Sequence, residues 1–147
     1  MDVKLDIRHQ YETSTAVIQA PALDQEVQEV VAFIEKNNQI VRELTAKKGE
    51  RVYFLPVDHV VRLAIENRSL TVYTKEDSYQ SSLRLYQAME VLPRYFIQIS
   101  QSEIINSQQL EYLEATPNGL VKLVMKNGDV TYSSRRYLKT IKEVFGL

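Results

Sequence analysis

The stretch FIQISQSEIINSQQLEYL (96–113) sets apolar residues beside uncharged hydrogen-bonding side chains. Ser100, Gln101 and Ser102 follow Phe96, Ile97 and Ile99; Asn106 to Gln109 follow Ile104 and Ile105. Hydroxyls and amides donate and accept hydrogen bonds at neutral pH without exchanging protons, so their chemistry is recognition of polar edges, not acid–base catalysis. Two further polar groups stand in comparable surroundings. Asn67-Arg68-Ser69 separates two β-like runs, and Ser133-Ser134-Arg135-Arg136 precedes an amphipathic one.

Catalytic groups are sparse by comparison. His9 and His59 lie in different segments, at no spacing that a metal site or a charge-relay nucleophile uses. There are no cysteines, and the four glycines form no phosphate-binding loop. Carboxylates are scattered, and the adjacent pair Glu76-Asp77 falls in an expected turn, where solvated charge is the simpler reading. The chain is therefore expected to be no enzyme, with no metal and no cofactor.

With 147 residues and 44% hydrophobic residues, the chain can bury a core without disulfide staples. The lack of cysteine, of a signal-peptide-like apolar start and of any long apolar run makes the cytoplasm the expected compartment. The net charge of −1 hides a division. Residues 1–38 carry Lys4, Arg8 and Lys36 against Asp2, Asp6, Glu12, Asp24, Glu26, Glu29 and Glu35, a balance of −4; residues 39–147 carry +3. Such a split marks two roles.

The elements that hold these residues follow from periodicity. Val3, Leu5 and Ile7 alternate with charges, Thr15 to Ala20 read as a second strand, and Pro21 and Asp24 introduce a helix with Val27, Val30, Val31 and Ile34 on one face. The first 38 residues are thus expected to form an acidic ββα segment with a possible dimerisation or regulatory role. Beyond it, strands are expected at 50–57, 59–66, 70–74 and 78–82, then a helix at 83–92 stopped by Pro93. Strands resume in YFIQIS, QLEYLEA, LVKLVMKNG and DVTYS, with Asn127-Gly128 as a two-residue hairpin turn needing positive φ at both positions. Ser133 or Ser134 is expected to cap a final helix whose buried side is Tyr137, Leu138, Ile141, Val144 and Phe145.

FIQISQSEIINSQQLEYL, a GLVKLV hairpin with KNGDV, and YSSRRYLKTIKE occur in an order that resembles the LytTR DNA-binding domain, over about residues 45–147. The resemblance implies a mainly β fold with flanking helices, about ten short strands in small sheets. It also implies a transcription regulator that reads the major groove with strand-end loops. Carried over by position, the DNA-facing residues are Asn67, Arg68 and Ser69; Ser100, Gln101 and Ser102; and Ser134, Arg135 and Arg136, with Lys139 beside them. Gln98 and Gln101 stand where the family often has Arg and Lys, lowering the charge of that face. Arg and Gln can make bidentate contacts with guanine and adenine, and Ser can bond base or phosphate. Arg135 and then Arg68 are the preferred base contacts, while Arg136, Lys139 and Lys75 suit phosphates. A helix start at Ser134 would add free N–H groups. Asn106 reads as a turn-former.

The implied partner is double-stranded DNA, bound as paired repeats by a homodimer or by two copies. Residues 1–38 are too few for a receiver domain; the short acidic segment resembles that of stand-alone bacterial members, some held in check by a small membrane protein. A protein interaction module without DNA binding is the rival reading, favoured by the sequence pI of about 6.1.

Overall fold

Asp24 starts the first helix, accepting a hydrogen bond on Oδ1 from the Val27 N–H at 3.0 Å. Helix α1 runs over Gln25–Asn38, with Glu26 in its first turn and Lys36 in its last, both favourable to the helix dipole. The computed structural model describes residues 1–147 and divides them into two units, Met1–Asn38 and Gln39–Leu147. The two strands expected before α1 do not form: no residue ahead of Glu43 joins a ladder. Val3, Leu5 and Ile7 are 80–87% exposed. Alternation alone does not make a strand, because a lone two-stranded ribbon is marginal in water without a sheet or helix to cover its apolar face.

The second unit contains ten strands. A seven-stranded antiparallel sheet has the order β2-β1-β5-β4-β3-β7-β6, built from β1 (Glu43–Lys48), β2 (Arg51–Pro56), β3 (Val60–Glu66), β4 (Ser69–Thr74), β5 (Ser78–Ser81), β6 (Phe96–Ser100) and β7 (Glu103–Asn106). A three-stranded sheet has the order β10-β9-β8, from β8 (Leu110–Ala115), β9 (Val121–Met125) and β10 (Val130–Tyr132). Helix α2 (Leu85–Val91) lies between β5 and β6 in the chain, and α3 (Leu138–Phe145) ends it.

The large sheet is buried on both faces at its β3-β7-β6 side, which explains the nearly continuous apolar runs there. One core gathers Val60, Leu63, Leu70, Val72, Phe96 and Ile104 with Leu85, Ala88 and Leu92 of the α2 region. The other gathers Val61, Ile97, Ile99 and Ile105 with Val121, Leu123 and Met125 of the small sheet and Ile141 of α3. Strand β3 serves both because successive strand residues face opposite sides of the sheet, and its register on β4 shifts between Val60 and Arg62. Asn106 is fully buried: its Nδ2 donates to the Val60 carbonyl at 2.8 Å and its Oδ1 accepts from the Gln108 N–H at 2.9 Å. It therefore caps the 3-10 turn Ser107–Gln109.

One ion network crosses between the sheets. Arg62 of β3, with a side chain 16% exposed, bonds Glu103 of β7 at 3.1 Å and Asp129 of the β9–β10 loop at 3.0 Å. Glu103 also accepts from the Thr131 hydroxyl of β10, and the guanidinium lies 3.8 Å from the centroid of the Tyr73 ring. Burial works against the charged guanidinium, but the bond to Asp129 and the nearby carboxylates outweigh it and its pKa is raised.

Removing one member of such a network strands the remaining charges. Arg62→Ala is expected to destabilise the second unit by about 3–5 kcal/mol in chemical denaturation; a change below about 1 kcal/mol, the range of a surface pair, would contradict this assignment. A second expectation concerns pH. Burial, then the bond to Asp58 at 2.6 Å, pushes the Tyr95 phenol up to about 12. The folded chain keeps that proton where the unfolded chain, at an ordinary phenol value near 10, has lost it. The contribution is complete below pH 10 and disappears as pH rises through about 12. Wild type should lose stability across that window more steeply than Tyr95→Phe; parallel alkaline profiles would refute it.

Candidate nucleic-acid interface

Asn67 and Arg68 form a two-residue turn between β3 and β4, with φ of 50° and 63°. Glu66 pairs with Ser69, so Ser69 opens β4. Both central residues sit in the left-handed region, as a tight hairpin demands; Asn tolerates it, whereas Arg stands where glycine is favoured. Both are exposed.

The turn between β6 and β7 lies beside this hairpin. The Ile65 N–H donates to the Ser102 carbonyl at 2.8 Å. Within the turn, Ser100 Oγ accepts from the Ser102 N–H at 3.2 Å and lies 3.4 Å from Ser102 Oγ, while Gln101 is exposed. The serines of this triplet thus shape the loop, and the glutamine projects from it.

The third segment is fastened to the same strand. The Ser134 N–H donates to the Ile99 carbonyl at 2.9 Å, and Gln98 Nε2 donates to the Tyr137 hydroxyl at 3.1 Å and to the Ser100 carbonyl at 3.0 Å. Gln98 is therefore a bridge between β6 and the last segment, with both bonds made inside the fold.

The capping expected of Ser133 and Ser134 does not occur. Ser133 is buried, and its Oγ accepts from the Val121 N–H at 3.1 Å, holding the segment to β9. Ser134 makes no side-chain cap bond and its buried Oγ has no hydrogen-bond partner. The chain makes a 3-10 turn at Arg135–Tyr137 first, and α3 begins only at Leu138, so no α-helix N-terminus lies at Ser134. Arg135 is exposed and donates from its terminal nitrogen to the Asn118 carbonyl at 3.3 Å. Arg136 and Lys139 are exposed.

The hairpin also divides its own residues. Arg68 and Ser69 line a groove of about 690 Å³ with Gln98 and Gln101, whereas Asn67 opens on another concavity, beside Lys47, Lys48 and Tyr73. The first groove contains residues that sequence reasoning assigned no recognition role: Ser82, Arg84 and Tyr86, at the start of α2. Helical spacing of Leu85, Met89 and Leu92 located that helix, but nothing in the spacing shows which surface its first residues join.

No group of three or more His, Cys, Asp or Glu side chains is arranged to hold a metal ion. No helix is long and apolar enough to cross a membrane. What the geometry offers is a row of turns bearing neutral and cationic hydrogen-bonding groups.

A family model described as the LytTr DNA-binding domain matches residues 50–146. An uncharacterized HTH-type transcriptional regulator of Staphylococcus aureus strain MSSA476 is 34% identical over 146 residues, covering 97% of each chain. Its counterpart in strain NCTC 8325 is 35% identical over 129 residues, covering 86% of this chain and 85% of that one. No two α-helices are consecutive along the present chain, so it holds no helix-turn-helix. A solved LytTr DNA-binding domain from Bacillus cereus has the same fold, with a TM-score of 0.70 and 20% identity, over 73% of this chain and 99% of that one. By the family match and by relatives that align with it almost end to end, the chain belongs to the LytTr DNA-binding domain family.

Proposed function

We propose that this chain is a transcriptional regulator that binds double-stranded DNA and reads the major groove with its strand-end turns. The observation that carries the proposal is the stitching of three polar segments by backbone hydrogen bonds, Ile65 to Ser102 and Ser134 to Ile99. Recognition of base edges needs donors and acceptors held at fixed spacing, and these bonds supply it. The family match and the names of the Staphylococcus aureus relatives point the same way.

In this reading Arg135 exchanges its bond with the Asn118 carbonyl for a base edge, Arg68 and Gln101 project beside it, and Arg136 and Lys139 meet phosphates. Asn67, Ser69, Ser100, Ser102 and Ser134 set the shape of the face. Binding occurs on paired repeats as a homodimer or as two copies.

Residues 1–38 serve dimerisation or regulation, with a small membrane protein as one regulator of suitable kind. Their balance of −4 and the exposed Leu23 and Phe33 support a contact role.

Selection of bound fragments from random duplex DNA is expected to recover a repeated motif. Arg135→Ala should then weaken binding by about 1–3 kcal/mol and relax preference at one base position. Failure of the wild-type chain to enrich any motif would reject the proposal and favour a protein interaction module. Deleting residues 1–38 should lower the oligomeric state or the affinity for the repeat; if sedimentation and binding are both unaltered, the dimerisation role is wrong.

A further inference from the structure

The groove beside the β3–β4 turn is lined by two arginines, by neutral polar groups and by the apolar Ile65, Leu70, Leu83 and Leu85, and by no carboxylate. Arg68 and Arg84 both line it, together with Ser82, Gln98 and Gln101. Neither guanidinium is ion-paired, so an anion entering the groove meets positive charge with no carboxylate opposing it. Arg84 projects from a stiff support. Its N–H donates to Gln87 Oε1 at 2.9 Å, the Leu83 N–H donates to Ser81 Oγ at 3.1 Å, and Leu85 and Ala88 are buried against the sheet. The Arg84 side chain remains exposed. Arg68 adds backbone evidence: an arginine at φ 63° takes a conformation that glycine would adopt without strain.

We infer that this groove carries the sugar–phosphate backbone of the bound duplex, with Arg84 as a phosphate contact and the β5–α2 loop as a fourth DNA-facing element. The inference rests on the DNA-binding reading above. It adds a phosphate contact to those of Arg136 and Lys139, beside a β6–β7 turn that carries no charge of its own. A phosphate contact positions the duplex and carries no sequence information, and the fork of a guanidinium suits phosphate oxygens.

The test measures fluorescence anisotropy of a labelled duplex from the selection, and of a scrambled duplex, across salt concentrations. Arg84→Ala should weaken binding to both duplexes by a similar few-fold factor and make the slope of log affinity against log salt shallower by about one. Its preferred motif and melting temperature should be those of the wild type. Arg84→Lys should recover most of the slope. Arg68→Gly relieves the backbone, so binding weakened by a similar factor on both duplexes, with an equal or higher melting temperature, would place the loss in the groove. A loss on the selected duplex alone would keep Arg68 as a base contact and remove it from the groove. Unchanged affinity and slope in Arg84→Ala, while Arg135→Ala loses its motif, would overturn the groove assignment and leave the DNA-binding reading standing. A wild-type chain that binds neither duplex would overturn both.

Discussion

The fold depends on a cation held between two sheets. Arg62 belongs to β3, the strand that contributes to both cores, and it reaches Glu103 in its own sheet and Asp129 in the other. Glu103 directly follows Ser102 of the β6–β7 turn, and Thr131, bonded to Glu103, lies three residues before Ser134. The ion network thus sits at the base of two of the three polar segments. Buried ion pairs are poor sources of net stability because desolvation offsets attraction. A network placed here ties Arg62 and Glu103 of one sheet to Asp129 and Thr131 of the other, beside the turns.

Rigid spacing matters because the surface carries little charge. A duplex-binding protein of strongly basic character can gain affinity by neutralising many phosphates, whereas a chain of net charge −1 depends on placement. Neutral side chains such as Gln101 and Ser102 gain little from flexibility: ordering a loop on binding consumes free energy that few contacts must then replace. Backbone bonds from Ile65 to Ser102 and from Ser134 to Ile99 meet that ordering cost during folding, before any ligand arrives.

The second unit was largely legible in the sequence, and its misreadings have physical causes. Eight of its strands coincide with β-branched and aromatic runs, as LTVYT and FIQIS illustrate. Strand β1 was illegible because ELTAKK is built from weak strand formers; it forms through pairing with β2 and β5 and through burial of Leu44 and Ala46. Strand β7 was missed because its adjacent Ile104 and Ile105 are buried one in each core and so show no apolar–polar alternation. The β9–β10 turn is longer than Asn127-Gly128 suggested: Gly128 alone has positive φ, and its N–H and that of Met125 close a three-residue loop with a glycine bulge. At residues 1–24 alternation was present and a covering surface was not, so no strand formed. The site was legible as three polar segments. Its interior bonds were not, since the roles of Ser133 and Gln98 depend on partners 12 and 39 residues away.

Whether the stitched turns form one DNA-reading face is decided by amide chemical-shift perturbation on titration with the selected duplex. A single face gives the largest changes at residues 67–69, 100–102 and 134–136, rising together with one affinity. Changes confined to residues 1–38 or to the exposed side of the small sheet around Tyr112 and Tyr132, with those three segments silent, would contradict it.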